Sequence, residues 1–87
     1  MIVIRTKSFF KKALKLPVKI KHALAERLQI FMQDPFRPVL NNHGLQGSKS
    51  KYRSVNITGD YRLIYEQYDF ETVRLIDIDT HSNLYGS

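Results

Sequence analysis

The stretch YRSVNITGDYRLIYEQYDFETVRLIDID, residues 52–79, decides the fold. Apolar and polar residues alternate along it with the period of two that belongs to strands. Between Tyr52 and Ile57, Arg53, Val55 and Ile57 fall on one face and Tyr52, Ser54 and Asn56 on the other. Thr58-Gly59-Asp60 supplies turn chemistry, and Tyr61 to Glu66 reads as the next strand. Tyr68-Asp69-Phe70-Glu71 is a second turn, leading into a third strand over Thr72 to Asp79. In that strand Val73, Leu75, Ile76 and Ile78 place apolar groups on both faces, which predicts a central position. Short turns between consecutive strands make the segment an antiparallel meander.

Toward the N-terminus the pattern differs. Met1-Ile2-Val3-Ile4-Arg5 reads as a short β-branched strand that completes the sheet beside one member of the meander. Thr6 or Ser8 can cap a following helix with Phe9, Phe10, Ala13, Leu14 and Leu16 on its apolar side. Pro17 breaks the chain there, because proline suits the first turn of a helix and not its interior. A second helix follows, with Ile20, Leu24, Leu28 and Phe31 on one stripe at helical period. Asp34-Pro35 ends it, since proline disfavours helix at the residue before it. Residues 35–51, rich in Pro, Asn, Gly and Ser, read as a loop whose Gly-Ser-Lys-Ser-Lys stretch is exposed and mobile. The predicted order is β-α-α-β-β-β: one α+β domain over residues 1–87, with a two-helix hairpin packed on one face of the sheet.

Composition excludes much else. With 87 residues the chain has no room for a Rossmann enzyme, a kinase or a TIM barrel. It has no Cys, so disulfides, thiolate metal sites and a Cys nucleophile are excluded. No apolar run approaches the roughly 20 residues of a membrane span. Arg5 and Lys7 follow the first four residues at once, leaving no signal-peptide core, and the expectation is a cytoplasmic protein away from membranes. The net charge of +6 is uneven: residues 1–53 carry 12 basic and 2 acidic residues, and residues 54–87 carry 2 and 6. A basic front on a small domain attracts polyanions.

Few groups can do chemistry. His22 sits among helix lysines and reads as a solvated helix residue. His43 and His81 fall in loop or strand-end settings, where a group that titrates near neutrality can exchange a proton. Spacing alone favours reading each as a loop histidine that only caps or hydrogen-bonds. Three scattered histidines with no metal-ligand spacing predict no metal site and no cofactor. Period two puts Asp60 and Arg62 on one side of a strand; the pair is either a weak surface ion pair or, with His81 ending a neighbouring strand, part of a phosphate clamp. The strand tyrosines, Tyr52, Tyr61, Tyr65 and Tyr68, either stack RNA bases or are half-buried core. Tyr85 has little core to join unless the tail folds back.

Several ordered pieces resemble one family. Leu40-Asn41-Asn42-His43-Gly44-Leu45-Gln46-Gly47, Gly59-Asp60-Tyr61-Arg62-Leu63-Ile64-Tyr65 and Ile78-Asp79-Thr80-His81-Ser82-Asn83-Leu84-Tyr85 resemble toxins of the RelE/ParE superfamily, and within it the YafQ-like branch. The match runs along nearly the whole chain, and each piece alone is weak. The resemblance implies an mRNA interferase, an endoribonuclease that cuts messenger RNA in the ribosomal A site by attack of the ribose 2′-OH. It implies His81 as general acid or base, His43 as the loop histidine, Asp60 as the turn carboxylate and Tyr85 as the aromatic that packs on a substrate base. Arg62 takes the place of a catalytic arginine of RelE and is expected to stabilise phosphate. Where the branch carries a third histidine this chain has Asn56, which cannot shuttle a proton, and Tyr61 takes the place of a tryptophan. RNA or ribosome contacts are expected from Lys11, Lys12, Lys15, Lys49, Lys51 and Arg53, with Asn56 and Tyr61 beside them. The implied partners are ribosome, messenger RNA and a small acidic antitoxin in a heteromeric complex. A ParE-like inhibitor of DNA gyrase and a decayed toxin that only binds antitoxin share the fold and stay open.

Overall fold

The structure is a computed structural model that describes residues 1–86. Its elements are β1 (Ile2–Arg5), α1 (Lys7–Leu14), α2 (Val18–Gln33), β2 (His43–Gly44), β3 (Tyr52–Asn56), β4 (Tyr61–Gln67), β5 (Thr72–Thr80) and α3 (His81–Tyr85). The helix boundaries have local causes. Thr6 caps α1, its Oγ1 accepting from Phe9 N at 3.3 Å while donating to the Leu75 carbonyl at 2.7 Å. Pro17 stands just before α2, and Asp34, extended at φ −154° ahead of Pro35, ends it.

The sheet order is β1-β5-β4-β3-β2. β1 lies at one edge, parallel to β5, and the remaining neighbours are antiparallel. β5 is interior, as its apolar content predicts. Phe9 of α1 and Leu24 and Phe31 of α2 pack against Val55, Leu63, Tyr65, Val73, Leu75 and Ile78 on one sheet face. Phe31 meets Tyr65 edge to face at 4.8 Å, a favoured aromatic geometry. Tyr65 is therefore core and takes no part in base stacking.

Three expectations change. The alternation in β5 is not one frame but two. Ile64 is opposite Asp77 while Tyr65 is opposite Leu75, which leaves Ile76 as the extra residue of a β-bulge. Val73, Leu75 and Ile78 thereby reach the same core, although strict alternation would separate Ile78 from the other two. Residues 35–51 are also not a free loop. They contain the two-residue strand β2 and two 3₁₀ turns, Pro38–Leu40 and Gly47–Lys49. Asn42 pins the segment: its Nδ2 donates to the Pro35 carbonyl at 2.9 Å and to the Tyr65 hydroxyl at 2.8 Å, and its Oδ1 accepts from Arg53 Nε at 2.8 Å. Finally, only Phe9 of the α1 apolar side is buried; Phe10 and Leu14 remain exposed and line a groove against α2. Among the described residues no helix is long and apolar enough to cross a membrane.

Candidate active site

The helices cover one face of the sheet, and α3 returns over the other. Ser54 is paired with Ile64, Arg62 with Asp79 and Ile64 with Asp77, so these side chains share the face away from the helices. The tail does fold back: the Tyr85 hydroxyl donates to Ser54 Oγ at 3.2 Å. Thr80 caps α3 by accepting from Asn83 N at 3.2 Å, and Gly86, at φ +66°, closes it in the left-handed conformation that glycine adopts freely. A cleft of about 340 Å³ opens between α3, β4 and the β2 segment, lined by Asn41, His43, Leu45, Arg62, His81 and Tyr85.

Each group in it is held by a neighbour. Asn41 adopts the left-handed conformation, φ 45° and ψ 49°, at the end of the first 3₁₀ turn. Asparagine tolerates that region better than most residues. Its carbonyl lies 2.8 Å from His43 Nδ1. A carbonyl can only accept, so Nδ1 carries a proton and Nε2 is the nitrogen left for proton exchange. Arg62 Nη1 donates to the Thr58 and Tyr61 carbonyls at 3.0 and 3.2 Å. The guanidinium forms no ion pair among the described residues, so its charge and its remaining donors stay available. His81 donates its backbone N–H to the Asp60 carbonyl at 2.9 Å. Its ring packs on Tyr85 with centroids 4.7 Å apart.

Four of the five residues expected to be catalytic, His43, Arg62, His81 and Tyr85, thus line one cleft. Asp60 enters through its backbone carbonyl; its carboxylate neither pairs with Arg62 nor lines the cleft. The expected RNA contacts scatter. Tyr61 faces the helix side, lining a hollow with Lys12 and Lys15. Lys12 is held by Asp77 and Asp79 at 2.8 and 3.0 Å. Arg53 is engaged with Asn42 and lies over the Phe36 ring at 5.5 Å. Lys49 Nζ donates to the Leu84 carbonyl at 3.5 Å, and Lys51 lies over Tyr52 at 5.2 Å. Lys11 is exposed on α1. Asn56 does not line the cleft, although it is the register partner of Arg62; it lies beside Arg27 and Thr58, and among the described residues its buried Oδ1 has no hydrogen-bond partner.

Sequence reasoning did not single out Asn41, which lines the cleft, or Asn42, which fixes the segment carrying His43. An Asn-Asn pair directly before a loop histidine is a signal for such roles, because asparagine both accepts the left-handed conformation and bonds backbone groups. Two ionisable groups beside the site, one carboxyl and one ammonium, are tuned. Burial pushes Asp79 up, but hydrogen bonds from Asn83, Lys12 and Thr80 N outweigh it and hold the carboxyl below its ordinary value. The hydrogen bond to Asp77 holds Lys12 above its own ordinary value. Among the described residues no group of three His, Asp or Glu side chains is placed to hold a metal ion.

The family described as "Bacterial toxin of type II toxin-antitoxin system, YafQ" matches residues 2–86. Among solved structures, YafQ from E. coli is similar with a TM-score of 0.78 at 25% identity, over 97% of each chain. The RelBE2 toxin–antitoxin complex from Mycobacterium tuberculosis contains a chain similar at TM-score 0.75 and 28% identity, over 92% of this chain and 96% of that one. A chain of the E. coli DinJ–YafQ toxin–antitoxin complex is similar at 0.71 and 27%, over 97% and 96%. No curated protein matches the chain by sequence.

Proposed function

The chain belongs to the YafQ family of bacterial toxins of type II toxin–antitoxin systems, and from that premise we propose that it is an endoribonuclease cutting messenger RNA. The observation that carries the reading is the cleft in which two histidines meet an arginine that has no carboxylate partner among the described residues. In the reaction, His43 Nε2 takes the proton of a ribose 2′-OH, for which its Nδ1 bond to Asn41 prepares it. The 2′ oxygen then bonds to the adjacent phosphorus. Arg62 stabilises the charge that builds on the phosphorane oxygens. His81 delivers a proton to the departing 5′ oxygen as the P–O5′ bond breaks, leaving a 2′,3′-cyclic phosphate and a 5′-hydroxyl. Tyr85 supports the His81 ring and offers its free face to a base. Asn56 and the Asp60 carboxylate receive no proton-transfer role.

The substrate is messenger RNA held in the ribosomal A site. The cleft is open and cannot enclose an RNA strand, which suits a substrate positioned by another particle. The exposed Lys11, Lys15, Lys49 and Lys51 supply the charge for docking on ribosomal RNA. A cytoplasmic location follows from that substrate. Neutralisation is by a small acidic antitoxin, in keeping with the complexes formed by the relatives. The groove between α1 and α2, about 300 Å³ and lined by Phe10, Leu14, Leu24 and Leu28 with Arg5 and Lys21 at its rim, fits the apolar side of an amphipathic acidic helix.

The test is cleavage in a translating extract, with and without ribosomes. Messenger cut only when ribosomes are present, and lost in His81→Ala, is the expected result. Intact messenger together with blocked gyrase supercoiling would transfer the chain to the ParE-like reading.

A further inference from the structure

Arg62 on β4 and Asp79 on β5 are register partners in the antiparallel ladder, on the face that carries the cleft. Opposite charges at such positions are within reach of each other and attract. Here they do not meet. Arg62 turns to the carbonyls of Thr58 and Tyr61. Asp79 is drawn the other way: Oδ2 accepts from Lys12 Nζ at 3.0 Å, and Oδ1 accepts from Asn83 Nδ2 at 2.9 Å and from Thr80 N at 2.8 Å. Lys12 comes from α1 and also holds Asp77 Oδ1 at 2.8 Å. This cluster is half exposed, and such ion pairs contribute little to stability. Its effect is on placement.

Resting on the nuclease reading, we propose that Lys12 is a positioning residue of the site. By holding Asp79 it keeps the carboxylate off Arg62, so that the guanidinium stays free for the scissile phosphate. The same contact fixes Asp79 as the anchor of Asn83, and through it α3 with His81 and Tyr85. Lys12 is then not an RNA contact, since its ammonium is already bonded to two carboxylates.

The experiment measures kcat and KM for cleavage of a short messenger on programmed ribosomes. Lys12→Met should lower kcat about tenfold with KM changed less than about twofold, as for loss of an interaction that acts in the transition state. Adding Asp79→Asn should restore kcat to within about threefold of wild type, because the carboxamide oxygen still accepts from Asn83 and Thr80 N but carries no charge to quench Arg62. Lys12→Gln serves as a second variant, and thermal melts confirm that each variant folds. A raised KM with unchanged kcat would make Lys12 an RNA contact and overturn the proposal, as would an absence of rescue in the double variant. If wild type cuts nothing, the nuclease reading fails and the positioning claim is decided separately. Arg62 Nε is then followed by NMR during titration with inorganic phosphate. A response weakened in Lys12→Met and regained in the double variant upholds it; the same response in all three proteins overturns it.

Discussion

The Tyr85 hydroxyl donates to Oγ of Ser54 at 3.2 Å, and Ser54 is fully buried. This bond ties α3 to the third strand and leaves the Tyr85 ring against His81. Tyr85→Phe removes the partner of a buried hydroxyl and should cost about 1 kcal/mol in a urea titration. It keeps the ring, so cleavage should persist within a few-fold. Tyr85→Ala removes the ring as well and should abolish cleavage and growth arrest.

Asn41 holds its carbonyl to His43 from the left-handed region. Asn41→Gly accepts that backbone without strain and should leave both stability and cleavage near wild type. Asn41→Val places a β-branched residue there, at a cost of about 1–3 kcal/mol. The urea midpoint should fall, and cleavage with it, because the His43 tautomer is no longer imposed.

Arg62 grips two carbonyls with one nitrogen and keeps its remaining donors for a phosphate. Arg62→Lys keeps the charge and loses the fork. Single-turnover cleavage should fall about 10²-fold, the order found on removing one preorganised donor to a transition-state oxyanion. The melting temperature should hardly move, since Arg62 forms no ion pair among the described residues.

The Lys12–Asp79 contact also predicts a pH dependence. Asp79 is held below its usual 3.8, so its contribution to stability is present above that value and is lost as pH falls through the depressed pKa. Lys12 is held above its usual 10.5, so its contribution is present below that value and is lost as pH rises through the raised one. The difference in urea midpoint between wild type and Asp79→Asn should therefore be level from about pH 5 to pH 9 and close in strong acid. A difference that persists unchanged at pH 2 would assign it to something other than this charge.

The sequence made the larger elements plain where periodicity was long enough to be read. The Ile20–Phe31 stripe and the period-two run from Tyr52 both form as expected, and Pro17 breaks the helices where its ring must. β2 was illegible, because two residues carry no period. It exists because Asn42 reaches Pro35, Tyr65 and Arg53, partners distant along the chain. The same holds for the site. His43, His81 and Tyr85 stood out by motif and meet in one cleft. Asp60 and Arg62 were placed near one another by alternation, but side-chain torsions send Arg62 to carbonyls. The Lys12 contact joins residues 67 positions apart, and no local pattern announces it.

The bulge at Ile76 gives this chain an unequal tolerance of two kinds of genetic change. Past the bulge, Ile78 points into the core while Asp77 and Asp79 stay on the outer face. A replaced side chain at Ile76, which is only partly buried, leaves that arithmetic intact. A single codon gained between Leu75 and Asp77, with the bulge still absorbing one residue, would exchange the two sets beyond it. Two carboxylates would be driven toward Phe9 and Leu63, and an isoleucine would be left in water. Variation in this strand should therefore be recorded as changed letters and never as added length, whereas the Tyr68–Glu71 turn, exposed throughout, is free to lengthen.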